Sequence, residues 1–153
     1  MPYTENEPKC FTNVNGKRIL DWTLEAFSQN GIDDIAFIGG YHFESIQRDY
    51  PHFRFYHNDN WENNNILASL MYAEAEMNEP FICCYSDTLF SPDLIQTLLK
   101  HDHDITLSVD TDWVNRYDGR TEHPTDDAEK VTTDGPHISN CLLYTSDAAD
   151  DDR

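Results

Sequence analysis

Apolar residues along this chain alternate between two spacings. Ile19, Leu20, Leu24 and Phe27 recur at helical spacing, and Asn30-Gly31 closes that helix at its C-terminal end. Ile35-Ala-Phe-Ile38 is a short continuous apolar run, the pattern of a strand buried on both faces. Gly39-Gly40 breaks it, and the spacing predicts a short helix over Phe43 to Tyr50, stopped by Pro51. Phe53 to Tyr56 predicts a second strand. A polar loop over Asn58 to Asn65 leads into Ile66, Leu67, Leu70, Met71 and Ala75, one helical stripe. Pro80 to Tyr85 predicts a third strand, ending in Ser86-Asp87. Ser91-Pro92-Asp93 carries a capping residue, a first-turn proline and an acid suited to a helix N-terminus, and opens a helix to about Lys100. Ile105 to Val109 predicts a fourth strand. After a polar stretch, Glu129-Lys-Val131 predicts a strand and Asp134-Gly135 a turn.

Strands and helices in alternation with short connections imply an α/β chain with a mostly parallel sheet. Ligands of such sheets sit beyond the carboxyl ends of the strands. That rule singles out Gly39-Gly40, Asn58 to Asn65, Ser86-Asp87 and Asp110 to Asp112.

Charge narrows the partners. The net charge of −19, with 29 acidic against 10 basic residues, opposes binding to a nucleic-acid backbone or to an anionic membrane surface. The 153 residues suit one domain or a large piece of one, and 39% hydrophobic residues suffice for a core. Neither a membrane-spanning run nor a secretory leader is apparent, so a cytoplasmic location is expected. Of the four cysteines, Cys10, Cys83, Cys84 and Cys141, none forms a Cys-x-x-Cys pair, and reduced, buried thiols are expected rather than a zinc site.

Several residues could carry chemistry. Asp87, at a strand end, can hold Mg²⁺ that bridges phosphates, because this ion takes one or two carboxylates plus phosphate oxygens and water; it can equally cap a turn. Lys9 is a compact charge suited to phosphate, or a solvated surface lysine. Asn64 and Asn65 precede a helix; one of them serves as its cap, and side-chain amides can also read a base edge. Asp110, Asp112, Trp113 and Tyr117 combine acids with aromatics, a composition suited to an ammonium group and also common in surface loops. His101-Asp-His-Asp104 lies at the end of the sheet away from ligands and reads as a solvated helix terminus.

A family resemblance weighs these alternatives. Pro8-Lys9-Cys10, followed by Asn15-Gly16-Lys17 and an amphipathic helix, resembles the region just after the phosphate loop of sugar-phosphate and phosphocholine-type nucleotidyltransferases. Asn64-Asn-Ile-Leu-Ala-Ser-Leu70 resembles the Asn-Asn-Ile-x-Ser-Leu stretch of the phosphocholine-type cytidylyltransferases, with one residue inserted before Ser69. The resemblance implies a Rossmann-like three-layer α/β sandwich, incomplete here. It implies phosphate binding by Lys9, Mg²⁺ at Asp87, base contact by Asn64 and Asn65, and an acceptor-facing segment containing Asp110, Asp112, Trp113, Tyr117 and Lys130. The implied reaction transfers CMP from CTP to phosphocholine or another amino-phosphate or phosphonate, releasing pyrophosphate. A sugar 1-phosphate acceptor and a non-catalytic nucleotide-binding module are the alternatives.

Both ends read as abnormal. The Gly-rich loop of the family is expected before Met1, and a second metal carboxylate beyond the chain. Residues 141–153 resemble translated sequencing-adaptor sequence and are expected to be a disordered tail outside a partial domain of residues 1–140.

Overall fold

The computed structural model describes residues 7–119, 125, 128 and 130–142. They fall in two compact units, Met1–Asp104 and Ile105–Arg153.

The first unit opens with a 3-10 turn, Lys9–Phe11, and a hairpin of β1 (Asn13–Val14) and β2 (Lys17–Arg18). Its two-residue loop needs positive φ at both positions, which Asn15 (φ 53°) and Gly16 (φ 85°) provide. Asn13 Oδ1 accepts from the Gly16 amide at 2.8 Å and closes the turn. Helix α1 (Ile19–Ser28) follows at once. It ends where Gly31 takes φ 74° and the Ile32 amide reaches back to the Phe27 carbonyl at 3.1 Å, so the last carbonyls find donors.

Strand β3 (Ala36–Gly39), helix α2 (Phe43–Asp49) and strand β4 (Arg54–His57) form one strand–helix–strand unit. Its strands pair in parallel with Phe37 opposite Phe55 and Gly39 opposite His57. The core lies between this ladder and the helices. Cys10, Phe11, Leu20, Phe37, Ile46, Tyr50 and Phe53 are all buried, with Leu24, Ile35 and Phe55 packed against them. Phe37 stacks on Phe53 (centroids 6.4 Å apart, planes at 14°), and Phe53 on Tyr50 (5.2 Å, 12°).

Helix α3 (Ile66–Met71) is capped by Asn65, whose Oδ1 accepts from the Ala68 amide. It stops at Met71, short of the predicted stripe's last residue, Ala75, which lies in a separate 3-10 turn, Glu74–Glu76. Helix α4 (Pro92–Leu98) packs beside α1: Phe27 meets Phe90 edge-on at 5.6 Å, and Asn30 donates to the Pro92 carbonyl at 3.0 Å.

The second unit contains α5 (Trp113–Arg116) and an antiparallel pair, β5 (Lys130–Asp134) and β6 (His137–Leu142), joined by the predicted turn at Asp134-Gly135.

The structure is therefore mixed α/β with a parallel ladder, as the pattern implied, but the sheet is smaller. Pro80 to Tyr85 and Ile105 to Val109, both predicted strands, join no sheet among the described residues. The physical reason is that apolarity alone does not make a strand; backbone groups need a neighbour to bond. These stretches are neither helix nor strand, and Phe81 and Ile105 stand 55% and 81% exposed. At the other end, Cys141 and Leu142 belong to β6, two residues inside the expected tail, because they pair with Val131 and Lys130. Residues 143–153 lie outside the described residues.

The core makes a quantitative prediction. Ile46→Ala empties a site that is 2% exposed and should cost about 2–5 kcal/mol. Urea unfolding followed by circular dichroism should show a lower midpoint with an unchanged slope.

Candidate functional site

The loop after β4 and the two turns beside the core carry four of the nine predicted residues, Lys9, Asn64, Asn65 and Asp87. The 3-10 turn Lys9–Phe11 exposes Lys9 while burying Pro8 and Cys10 on either side. The Cys10 thiol lies in hydrogen-bonding reach of Ser86 and feels the charge of Asp87. The turn that carries Lys9 thus packs against the turn that carries Asp87, although the two are nearly eighty residues apart. A second tie holds that turn in place: Thr23 Oγ1 on α1 donates to the Thr88 carbonyl at 3.0 Å. Of the four thiols expected to be buried only Cys10 is, while Cys83, Cys84 and Cys141 are exposed, the first two on a stretch that joins no sheet. Thr23 did not stand out in the sequence. A small polar residue on the buried stripe of an amphipathic helix was the only available signal for Thr23.

Asp87 itself is exposed. Among the described residues, no three His, Cys, Asp or Glu side chains cluster as a metal cage. A single exposed carboxylate fits magnesium bound chiefly by phosphate oxygens and water.

The loop after β4 is organised by Asn58, which is 2% exposed. Asn58 and Asn64 exchange hydrogen bonds through their amides, Nδ2 to Oδ1 at 3.0 Å and 2.9 Å. Asn58 also donates to Ser69 Oγ at 2.6 Å and accepts from the Asn60 amide at 3.1 Å. Of the two asparagines expected at a base, Asn64 is locked into this reciprocal pair and Asn65 caps α3 through its oxygen. One amide N–H of Asn64 and the Asn65 nitrogen lie outside those bonds. Sequence reasoning placed Asn58 in a polar loop and missed its burial. Its position directly after a strand, seven residues before a helix cap, was the one hint.

The remaining predicted residues belong to the second unit. Trp113 and Tyr117 meet edge-on at 5.5 Å, and Lys130 Nζ lies 5.9 Å from the Trp113 ring centre. Asp110 accepts from the Asp112 amide at 2.9 Å and pairs with Arg116. The amide and the guanidinium hold its carboxyl below the usual range. Asp112 accepts from Asn115. The four acidic and aromatic residues thus lie on one short helix and its lead-in, with Lys130 over the indole.

An open groove of about 650 Å³, lined by Asn13, Gly16, Lys17, Arg18, Asp21, Asp49 and Tyr50, is a separate feature. Its charges neutralise one another: Arg18 pairs with Asp49 at 2.8 Å and lies 3.8 Å over the Phe11 ring, and Tyr50 donates to Asp21 at 2.6 Å.

Residues 4–138 match the family model of the MobA-like NTP transferase domain. The chain belongs to that family. It is 26% identical over 147 residues to CTP:phosphoglutamine cytidylyltransferase of Campylobacter jejuni, covering 90% of this chain and 58% of that protein. It is 30% identical over 92 residues to choline-phosphate cytidylyltransferase of Streptococcus pneumoniae, covering 58% of this chain and 40% of that protein. The chain therefore spans about half the length of these relatives. The solved structure of CTP:phosphocholine cytidylyltransferase from Streptococcus pneumoniae is 33% identical over 50% of this chain and 34% of its own, with a TM-score of 0.43. No helix among the described residues of this family member is long and apolar enough to cross a membrane.

Two predictions follow from this geometry. Asn58→Ala empties a buried site and strands its half-buried partners Asn64 and Ser69, and should cost about 1–3 kcal/mol, read as a lower unfolding midpoint, whereas Ser69→Ala should cost less. The second concerns alkaline pH. Burial, chiefly, pushes the Cys10 thiol up to about 11 from 9.0, and burial followed by the bond to Asp21 pushes Tyr50 up to about 12 from 10.0. Both groups hold their protons more tightly when folded, so their contribution is complete below pH 9 and is lost as pH rises toward 12. Melting temperatures should fall steadily across that window, and Tyr50→Phe should flatten its upper half.

Proposed function

We propose that the protein transfers a nucleotidyl group, CMP from CTP, to a small phosphorylated acceptor bearing an amino, amide or quaternary ammonium group, with release of pyrophosphate. The observation that carries this reading is the packing of the Lys9 turn against the Ser86-Asp87 turn, a cation and a carboxylate on neighbouring turns beside the core. Membership of the NTP transferase family supports the reaction class, and the names of the two relatives support cytidine and a phosphorylated amino compound.

In this reading Lys9 binds the triphosphate as a point charge. Asp87 holds Mg²⁺, which would supply charge neutralisation at the phosphates. The amide hydrogens left on Asn64 and Asn65 meet the base edge. Trp113 and Tyr117, with Asp110 and Asp112 nearby, receive the acceptor's amino or ammonium end, and Lys130 its phosphate. The acceptor's phosphate oxygen attacks the α-phosphorus in line, so positioning and charge neutralisation do most of the work and no general base is required.

Calorimetric titration of the chain with CTP, UTP, ATP and GTP in the presence of Mg²⁺ tests this. CTP should bind tightest, Lys9→Ala should weaken it about tenfold, and Asp87→Asn should remove the dependence on Mg²⁺. Absence of binding by any of the four would overturn the reading. In a pyrophosphate-release assay with phosphocholine and phosphoglutamine as acceptors, this chain, half the length of its relatives, should turn over far below the ordinary range of about 1–10³ per second. A normal rate would show that these residues suffice.

A further inference from the structure

Tyr41 and Trp61 form an exposed aromatic pair at the carboxyl ends of the parallel strands, unused by any role assigned so far. Their rings meet edge-on at 5.5 Å, and each residue is 41% exposed. The indole lies directly on the backbone at Gly40: a Cβ there would stand 2.3 Å from its Cγ and Cδ1 atoms. Only glycine permits this approach. Gly40 follows the last residue of β3, and the Asn58 amide bonds the Gly39 carbonyl at 2.9 Å just beyond β4, so the platform stands over the strand ends.

The loop that carries Trp61 is pinned on both sides. Asn58 holds the Asn60 amide before it and the Asn64 side chain after it, and the Asn63 amide bonds the Asn60 carbonyl at 3.0 Å. Tyr72 anchors Asp59 at 3.0 Å. A large ring on a protein surface is ordinarily mobile; here it is backed by backbone and braced by an amide network around the buried Asn58, which lowers the entropy lost on binding. The amides of Asn64 and Asn65 lie a few residues along the same loop. Their remaining amide hydrogens can donate to the acceptors of a base edge, which an ammonium group does not have.

We infer that Trp61, braced by Gly40 and Tyr41, is the stacking platform for the nucleobase, with the asparagines of the same loop at its edge. This rests on the nucleotide reading above and adds the surface that takes the face of the base. Stacking on an aromatic side chain tolerates any base, so the platform supplies affinity and the asparagines supply the choice of base.

The test compares ligands that have a base with one that does not. In a Trp22→Phe, Trp113→Phe background, Trp61 is the sole tryptophan of the three. CTP and CMP should quench its fluorescence on binding, and inorganic tripolyphosphate should not. Separately, Trp61→Ala should weaken CTP and CMP about tenfold, with tripolyphosphate unchanged and Trp61→Phe within about threefold of wild type. Gly40→Ala, which displaces the indole, should behave like Trp61→Ala. If CTP binds the wild type but Trp61 neither responds nor matters, the platform is overturned and the nucleotide reading stands. Equal losses for CTP and tripolyphosphate also overturn it, leaving Trp61 a structural role. If the wild type binds no nucleotide, both fall.

Discussion

The parallel pairing of β3 with β4, sealed by aromatic packing, is the constraint on which the first unit depends. Phe37 stands on one strand and stacks on Phe53 at the foot of the other; Tyr50, at the end of the intervening helix, stacks on Phe53 as well. Burial of such rings is worth about 1.5–3 kcal/mol each, more than any surface ion pair here can contribute. The ladder and the helix are thereby locked in one register. That register decides which end of each strand faces the loops at Gly40 and Asn58, and hence where a ligand can lie.

From that ladder the site is assembled by a few bonds between distant segments. Thr23 and Cys10 lie on pieces of chain that pack into the core, and each ties down the turn around Asp87. The carboxylate itself stays in solvent. The arrangement is economical: the functional group needs water and ligand around it, while its neighbours need burial, so positioning is delegated to the backbone on either side. Asn58 does the same for the loop before α3, with a side chain nine-tenths hidden whose bonds shape a loop that is itself mostly exposed.

Legibility varied with how local the physics was. The helices over Ile19 to Phe27, Phe43 to Tyr50 and Pro92 onward and the turns at Asn15-Gly16 and Asp134-Gly135 were readable, because periodicity, capping and turn chemistry act over a few residues; that Lys17-Arg18 pairs back as a strand instead of lying on the helix was not. The strand pair at Ala36 and Arg54 was readable for the same reason. Pro80 to Tyr85 and Ile105 to Val109 were misread, because an apolar run states only that a segment would accept burial. Whether it becomes a strand depends on a neighbour supplied from elsewhere. The roles of Asn64 and Asn65 were half legible: a cap was expected of one of them, but the pairing of Asn64 with Asn58 joins residues on opposite ends of a loop.

By itself the sequence determined the class of fold, the family and the residue types available for chemistry, since spacing, turn chemistry and motif survive in one dimension. Tertiary structure alone decided that the turns carrying Lys9 and Asp87 adjoin, that Asn58 is buried, and that Trp61 closes on Gly40. Each of these is a contact between residues separated by a loop or by most of a domain. Packing and hydrogen bonding across such separations depend on how the intervening chain folds, and no local pattern records that.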